Sequence, residues 1–218
     1  MKTDFWLERW ERQEIGFHQD EINPHLLSQW KELFLAPGAT VFVPLCGKSR
    51  DMLWLRQQGH VVRGVEISPI ATRAFFEENG YAPRRVTDDR FEHYEADNIS
   101  ISCGDFFNLS RDDLRGVSAV YDRASLVALP PEMRERYANH LVKILPAGAK
   151  MLLLTFDYPQ SEMSGPPFAV SPGEVEALYA DRATVRLLAQ HDTLSQNPRF
   201  QQRGLSRLRE GVFLVTLA

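Results

Sequence analysis

The chain has 218 residues, a formal net charge of −4, 44% hydrophobic residues and 25% charged residues, which is typical of a globular domain with a proper core. Its charges are interspersed and argue against a nucleic-acid or anionic-membrane partner, which would favour a basic face. Two cysteines and six histidines without ligand spacing predict neither a disulfide framework nor a metal site. No apolar signal core or membrane-length run is found, so we expect a cytoplasmic protein.

The N-terminal segment predicts a helical unit that differs in composition from the rest of the chain. Trp6 and Trp10 lie among charged residues in a first helix, and a loop and a second helix at 24–34 follow. We expect residues 1–36 to form a helical lid on a core that spans residues 37–218. Lid and core together predict a single domain.

From residue 40 onward the pattern changes to an alternation of buried strands and helices. The predicted strands are 41–45, 61–67, 99–103, 117–121, 150–156, 185–190 and 212–217. The predicted helices are 49–58, 69–79, 131–145 and 172–179. Residues 81–98 are polar, and we expect them to form an irregular excursion.

This order of elements predicts a doubly wound α/β fold. Alternating strands and helices give a mostly parallel sheet with helices on both faces. The last two strands are joined without a crossover helix, so we expect them to be antiparallel to each other. A seven-stranded sheet of this kind resembles the Rossmann-like fold of class I methyltransferases, which bind S-adenosylmethionine.

The turn after the first strand contains a single glycine, Gly47. The sequence Gly47-Lys48-Ser49 resembles the end of a phosphate-binding loop, but the glycine required five residues earlier is Phe42. The Gly-x-Gly-x-x-Gly fingerprint of dinucleotide enzymes is also missing. A one-glycine turn therefore favours a cofactor without phosphates, such as S-adenosylmethionine, lying over the backbone.

Polar side chains follow the next three strands. Glu66 is the natural acceptor for two ribose hydroxyls, although it could be an ordinary solvated carboxylate. Asp105 lies where such folds meet the adenine ring and Phe106 could stack on that ring, unless Asp105 merely caps the following turn. Arg123 predicts a contact with the cofactor carboxylate or a substrate anion, or else an ion pair with a neighbouring aspartate.

Several motifs together resemble the thiopurine S-methyltransferase family, in particular a bacterial member. These are VPLCGK at 43–48 with GVEIS at 64–68, YDRASLVAL at 121–129, GPPF at 165–168 and the N-terminal segment 6–19. The resemblance covers nearly the whole chain. It implies an S-adenosylmethionine-dependent S-methyltransferase for aromatic or heterocyclic thiols such as thiopurines, with selenium and tellurium species as further acceptors in bacteria.

The resemblance also implies individual site residues. With the residues above, the cofactor set is Trp10, Leu45, Gly47, Glu66, Asp105, Phe106 and Arg123. The acceptor set is Phe17, Arg123, Phe168 and Arg199. Arg123 and Arg199 are the catalytic candidates, because two guanidinium groups would favour the thiolate form of the acceptor. For Trp10 the spacing from Trp6 alone is more typical of core packing.

The predicted reaction needs no strong base, because aromatic thiols ionise near neutral pH. His18 could accept a proton or have only a loop or packing role, and Lys48 has no assigned role. Three alternatives stay open: a methyltransferase of the same fold with another small acceptor, a NAD-dependent oxidoreductase that shares Glu66, and a non-catalytic binding module. We expect a monomer.

Overall fold

The computed structural model describes residues 3–218, so residues 1 and 2 of the predicted lid lie outside its described part. Its helices are α1 (Thr3–Glu11), α2 (Pro24–Gln29), α3 (Asp51–Gln57), α4 (Pro69–Glu78), α5 (Pro131–Ile144), α6 (Pro172–Tyr179) and α7 (Pro198–Gln202). Its strands are β1 (Thr40–Val43), β2 (Val61–Glu66), β3 (Arg84–Thr87), β4 (Glu92–Ala96), β5 (Ile99–Cys103), β6 (Val117–Asp122), β7 (Lys150–Asp157), β8 (Ala183–Asp192) and β9 (Arg209–Leu217).

The strands form one mixed sheet in the order β3-β4-β5-β2-β1-β6-β7-β9-β8. The five strands from β5 to β7 are mutually parallel, as expected for strands connected through helices. Strand β9 lies between β7 and β8 and is antiparallel to both. The doubly wound α/β fold is therefore confirmed, including the antiparallel arrangement of the last two strands.

The predicted number of strands was wrong, because the sheet has nine strands and seven were predicted. The two additional strands, β3 and β4, form an antiparallel pair within residues 81–98, next to β5. Every residue of the edge strand β3 is exposed, and Val86 is 47% exposed. An edge strand of this kind buries no apolar face, so it leaves no hydrophobic period that sequence analysis could detect.

Side chains of the central strands alternate between two core layers, one on each face of the sheet. In β1, Phe42 packs in the layer formed with α5 and α6, whereas Val41 and Val43 pack in the layer formed with α2, α3 and α4. Such strands, buried on both faces, read as continuous apolar runs. The two layers fix the sheet in place and leave the carboxyl ends of its parallel strands at a common edge.

Three helices begin where a short polar side chain precedes a proline. Asn23, Ser68 and Ser171 each accept a hydrogen bond from a backbone N–H of the first turn of α2, α4 and α6, respectively. Helix α2 ends earlier than predicted and continues as a single 3₁₀ turn at Trp30–Leu33. Within residues 3–218, no helix has the length and apolar composition needed to cross a membrane.

Candidate active site

The turn after β1 has an unusual backbone conformation. Leu45 and Gly47 have positive φ angles of 45° and 54°, and such a value is uncommon for a residue with a side chain. The N–H of Cys46 donates to the carbonyl oxygen of Val65 over 2.9 Å, which ties the turn to β2. Strained backbone that is held in this way is typical of ligand-binding turns.

Glu66 lies at the end of β2 and is 5% exposed. The N–H of Gly47 donates to Oε2 and the N–H of Ser68 donates to Oε1, each over 2.8 Å. Burial raises the pKa of Glu66, and the hydrogen bonds from Ser68 and Gly47 partly offset that increase. Each carboxylate oxygen retains a lone pair, so this arrangement fits the two ribose hydroxyls of S-adenosylmethionine.

The indole of Trp10 lies directly over the same turn. Trp10 is 6% exposed, and a Cβ atom added at Gly47 would lie 3.3 Å from its Cζ2 atom. The ring of Phe17 packs edge-on against both Trp6 and Trp10, with 5.5 Å between ring centroids in each case. The N-terminal segment therefore covers the one-glycine turn. Its two tryptophans also share Phe17 as a packing partner.

Asp105 and Phe106 follow β5, but their side chains are already engaged. Asp105 accepts a hydrogen bond from the N–H of Phe107 over 2.9 Å and so caps the following turn. The ring of Phe106 is 3% exposed, with its centroid 4.8 Å from that of Tyr137 and 5.2 Å from that of His140. The ring of Phe106 thus packs mainly against protein side chains, and its contact with the cofactor stays a prediction.

Arg123 lies just after β6, and its side chain is 14% exposed. Its Nη1 atom is 3.9 Å from Oδ2 of Asp51, a buried carboxylate that also accepts the N–H of Asn23 and the hydroxyl of Tyr121. No hydrogen bond from this guanidinium to another residue of the described part, 3–218, is found. The aspartate neighbour foreseen as an alternative thus exists, yet the guanidinium donors remain free to bind an anion.

Asp51 and Asp122 are two buried carboxylates near Arg123 to which the sequence analysis assigned no role. Asp122 is fully buried, and it accepts the hydroxyl of Tyr137 over 2.7 Å and the N–H of Leu126 over 3.2 Å. Burial raises the pKa of Asp122 to about 6. The available signal was the placement of both carboxylates, one in the first turn of α3 and one immediately before Arg123.

Lys48 lies in the same turn, and His18 lies near it. The Nζ atom of Lys48 donates to both carboxylate oxygens of Glu78, over 2.6 and 2.8 Å, and so links the turn to the end of α4. Nε2 of His18 is 3.6 Å from Oδ1 of Asp20. Burial, followed by the charge of Lys48, lowers the pKa of His18, with a smaller effect of Arg123 in the same direction. Its imidazole is therefore mostly neutral near pH 7.

The predicted acceptor residues come from distant parts of the chain. Nη1 of Arg199, in α7, donates to the carbonyl oxygen of Gly16 over 2.6 Å and so brings α7 beside Phe17. The N–H of Phe168 donates to the carbonyl oxygen of Val127 over 2.7 Å, which joins the GPPF loop to the segment after β6. The structure therefore attaches both acceptor segments to elements that border the cofactor turn.

The fold and the site together define the class of protein to which this chain belongs. A mostly parallel sheet with a buried carboxylate at the end of β2, a one-glycine turn after β1 and an aromatic cover is the arrangement of a class I S-adenosylmethionine-dependent methyltransferase. Two solved structures agree with this fold. A SAM-dependent methyltransferase from Anabaena variabilis has a TM-score of 0.67 at 14% identity, covering 99% of this chain and 95% of that chain. A 1,6-didemethyltoxoflavin-N1-methyltransferase from Burkholderia thailandensis has a TM-score of 0.64 at 15% identity, covering 99% and 87%.

Sequence comparison narrows the class to a family. The family model described as thiopurine S-methyltransferase matches residues 1–217. A thiopurine S-methyltransferase of Nitrosospira multiformis is 63% identical over 215 residues, covering 99% of this chain and 98% of that protein. One of Azotobacter vinelandii is 51% identical over 213 residues and covers 98% of both. The chain belongs to the thiopurine S-methyltransferase family, which confirms the predicted cofactor, S-adenosylmethionine, and the predicted methyltransferase activity.

Proposed function

We propose that this chain methylates the sulfur atom of aromatic or heterocyclic thiols such as thiopurines. The observation that carries this proposal is the hydrogen bond from Arg199 to the carbonyl oxygen of Gly16. It brings a second guanidinium beside Phe17, in the proposed lid over the cofactor turn. An aromatic ring with cations beside it suits a flat acceptor that carries negative charge on sulfur.

The cofactor-binding residues would position S-adenosylmethionine. When bound, S-adenosylmethionine provides a methyl group that is already activated by its sulfonium. Glu66 would accept both ribose hydroxyls, and the turn at Leu45 and Gly47 would support the cofactor from below. Trp10 would exclude water from above. Holding two reactants in line is the main contribution that such a transfer requires from the protein.

The acceptor residues would stabilise the negative charge of the thiolate and enclose the acceptor ring. Arg123 and Arg199 would favour the thiolate over the thiol, because an adjacent positive charge lowers the pKa of an acidic group. Phe17 and Phe168 would cover the acceptor ring. His18, held mostly neutral, would accept the proton of a thiol that is less acidic than an aromatic one.

Several further properties stay predictions. They are selenium and tellurium species as acceptors, a monomeric state, a cytoplasmic location, the absence of nucleic-acid and membrane partners, and a lid of residues 1–36 on a core of residues 37–218. Two free, buried cysteines support a reducing compartment. Light scattering on the purified chain checks the monomer.

The proposed function is tested by methyl transfer from labelled S-adenosylmethionine to thiophenol, 6-mercaptopurine, selenite and tellurite. We expect aromatic thiols to be methylated, and we expect Arg123→Ala and Arg199→Ala each to lower kcat/KM at least tenfold. Arg186→Ala serves as a matched control, because Arg186 is a half-exposed arginine on β8. Methylation confined to oxygen or nitrogen acceptors would contradict the proposal. NADH binding without S-adenosylhomocysteine binding would favour the oxidoreductase alternative.

A further inference from the structure

Five backbone polar groups of the loop around Phe168 are held by hydrogen bonds. The N–H groups of residues 168, 169 and 170 donate to Val127, Gln160 and Phe156, over 2.7, 2.8 and 2.7 Å. The carbonyl oxygens of Pro167 and Ala169 accept hydrogen bonds from Tyr158 and Arg134, over 2.6 and 2.8 Å. These hydrogen bonds restrain the backbone of residues 167–170 and so limit where the ring of Phe168 can lie.

Two of these partners are linked to each other. The hydroxyl of Tyr158 donates to Pro167 and accepts a hydrogen bond from Nε2 of Gln160 over 3.3 Å. The same Gln160 amide donates to the carbonyl oxygen of Met163 over 2.6 Å, while its Oε1 accepts the N–H of Ala169. Tyr158 is 3% exposed, so its hydroxyl depends on these partners for its hydrogen bonds. We call Tyr158 and Gln160 the loop clamp.

Tyr158 of the loop clamp belongs to a small hydrophobic cluster that is separate from the two main core layers. Tyr158 and Met163 pack there with Leu205 and Leu208, and Phe200 lies against the cluster. Glu162 reinforces the connection, because it accepts both the N–H and the hydroxyl of Ser206, over 2.8 and 2.7 Å. The loop of Phe168 and the segment that contains Arg199 therefore share one local support.

We propose that Tyr158 and Gln160 are positioning residues that set the place of Phe168 against the acceptor ring, and so determine acceptor selectivity without affecting the cofactor. The inference rests on the proposed function, in which Phe168 covers that ring. A displacement of about 1 Å at a reacting centre can lower a rate about a hundredfold, so the removal of a single loop restraint is measurable.

The test uses Tyr158→Phe in the full chain, with Tyr179→Phe as matched control. Tyr179 is fully buried, and its hydroxyl has no hydrogen-bond partner among residues 3–218. We expect Tyr158→Phe to raise KM for 6-mercaptopurine at least fivefold, with the Kd of S-adenosylhomocysteine changed less than twofold and Tyr179→Phe close to wild type. An unchanged KM, or a parallel loss of cofactor affinity, would overturn the inference. Gln160→Met provides a second, surface-exposed variant with the same expected outcome.

A double-mutant cycle with Phe168→Ala separates positioning from general stability. If the loop clamp acts through Phe168, Tyr158→Phe has no further effect on KM once Phe168 is alanine. Independent, additive effects would overturn the inference. If Phe168→Ala raises KM while both clamp variants behave as wild type, only the clamp is refuted. If Phe168→Ala leaves KM unchanged, the assigned role of Phe168 in the proposed function is itself refuted.

Discussion

Two backbone N–H groups hold the carboxylate of Glu66, and the proposed function gives the same carboxylate the ribose hydroxyls to bind. We predict that Glu66→Gln weakens S-adenosylhomocysteine binding at least tenfold, or about 1.4 kcal/mol, because an amide offers one acceptor atom where the carboxylate has two. Isothermal titration measures this change. Glu95→Gln, on the exposed side of β4, is the control. Wild-type affinity for the Glu66 variant would refute the ribose assignment.

Asp122 makes stability depend on pH, because burial raises the pKa of this carboxyl to about 6 in the folded state. The unfolded value is near 3.9, so the native state binds the proton more tightly. The resulting stabilisation, at most about 3 kcal/mol, is complete below pH 4 and is lost as the pH rises through about 6.

We therefore predict that the difference in unfolding free energy between wild type and Asp122→Asn shifts by about 1 kcal/mol between pH 5 and pH 7.5. Wild type should be relatively more stable at pH 5. Urea unfolding at both pH values measures the shift. Asp89→Asn, at an exposed position, should track wild type, and a constant difference for Asp122→Asn would contradict the raised pKa.

At the scale of elements, the turn between β1 and α3 joins the sheet to the N-terminal cover. We predict that Gly47→Ala costs about 1–2 kcal/mol of stability, because its φ angle is +54°, and also weakens cofactor binding, because a Cβ atom would crowd Trp10. Gly59→Ala is a matched control with a φ angle of +86° and no atom within 4 Å of the added carbon. Equal cofactor affinity in the two variants would contradict the role of the Trp10 contact.

The elements that sequence analysis predicted well are those with a buried face. The strands at 61–67 and 150–156 are largely apolar and the strand at 99–103 alternates apolar and polar residues, and the structure confirms all three within one or two residues. The pair β3 and β4 was missed because it lies at the sheet edge and buries little beyond Tyr94. The strand β8 is longer than predicted, because hydrogen bonds to β9 extend it through solvent-exposed residues.

At the scale of the whole molecule, cofactor binding should increase the free energy of unfolding. We predict that S-adenosylhomocysteine at about 100 times its Kd stabilises the chain by about 2.7 kcal/mol, because it binds only the folded state. For a chain of this size the melting temperature should rise by roughly 5–10 °C. NADH at the same concentration should leave the melting temperature unchanged. The reverse result would support the oxidoreductase alternative.

The sequence by itself determined the order of seven of the nine strands and of the main helices, the one-glycine turn at Gly47, the carboxylate Glu66 and the family. These depend on local chemistry: apolar periodicity, a required backbone conformation and residue types at short spacing. Only the tertiary structure decided that the ring of Phe106 is buried, that Asp51 lies beside Arg123 and that Arg199 reaches Gly16. The two contacts join residues that are far apart along the chain, and the burial of Phe106 depends on packing from several elements. A local sequence pattern contains no information about either.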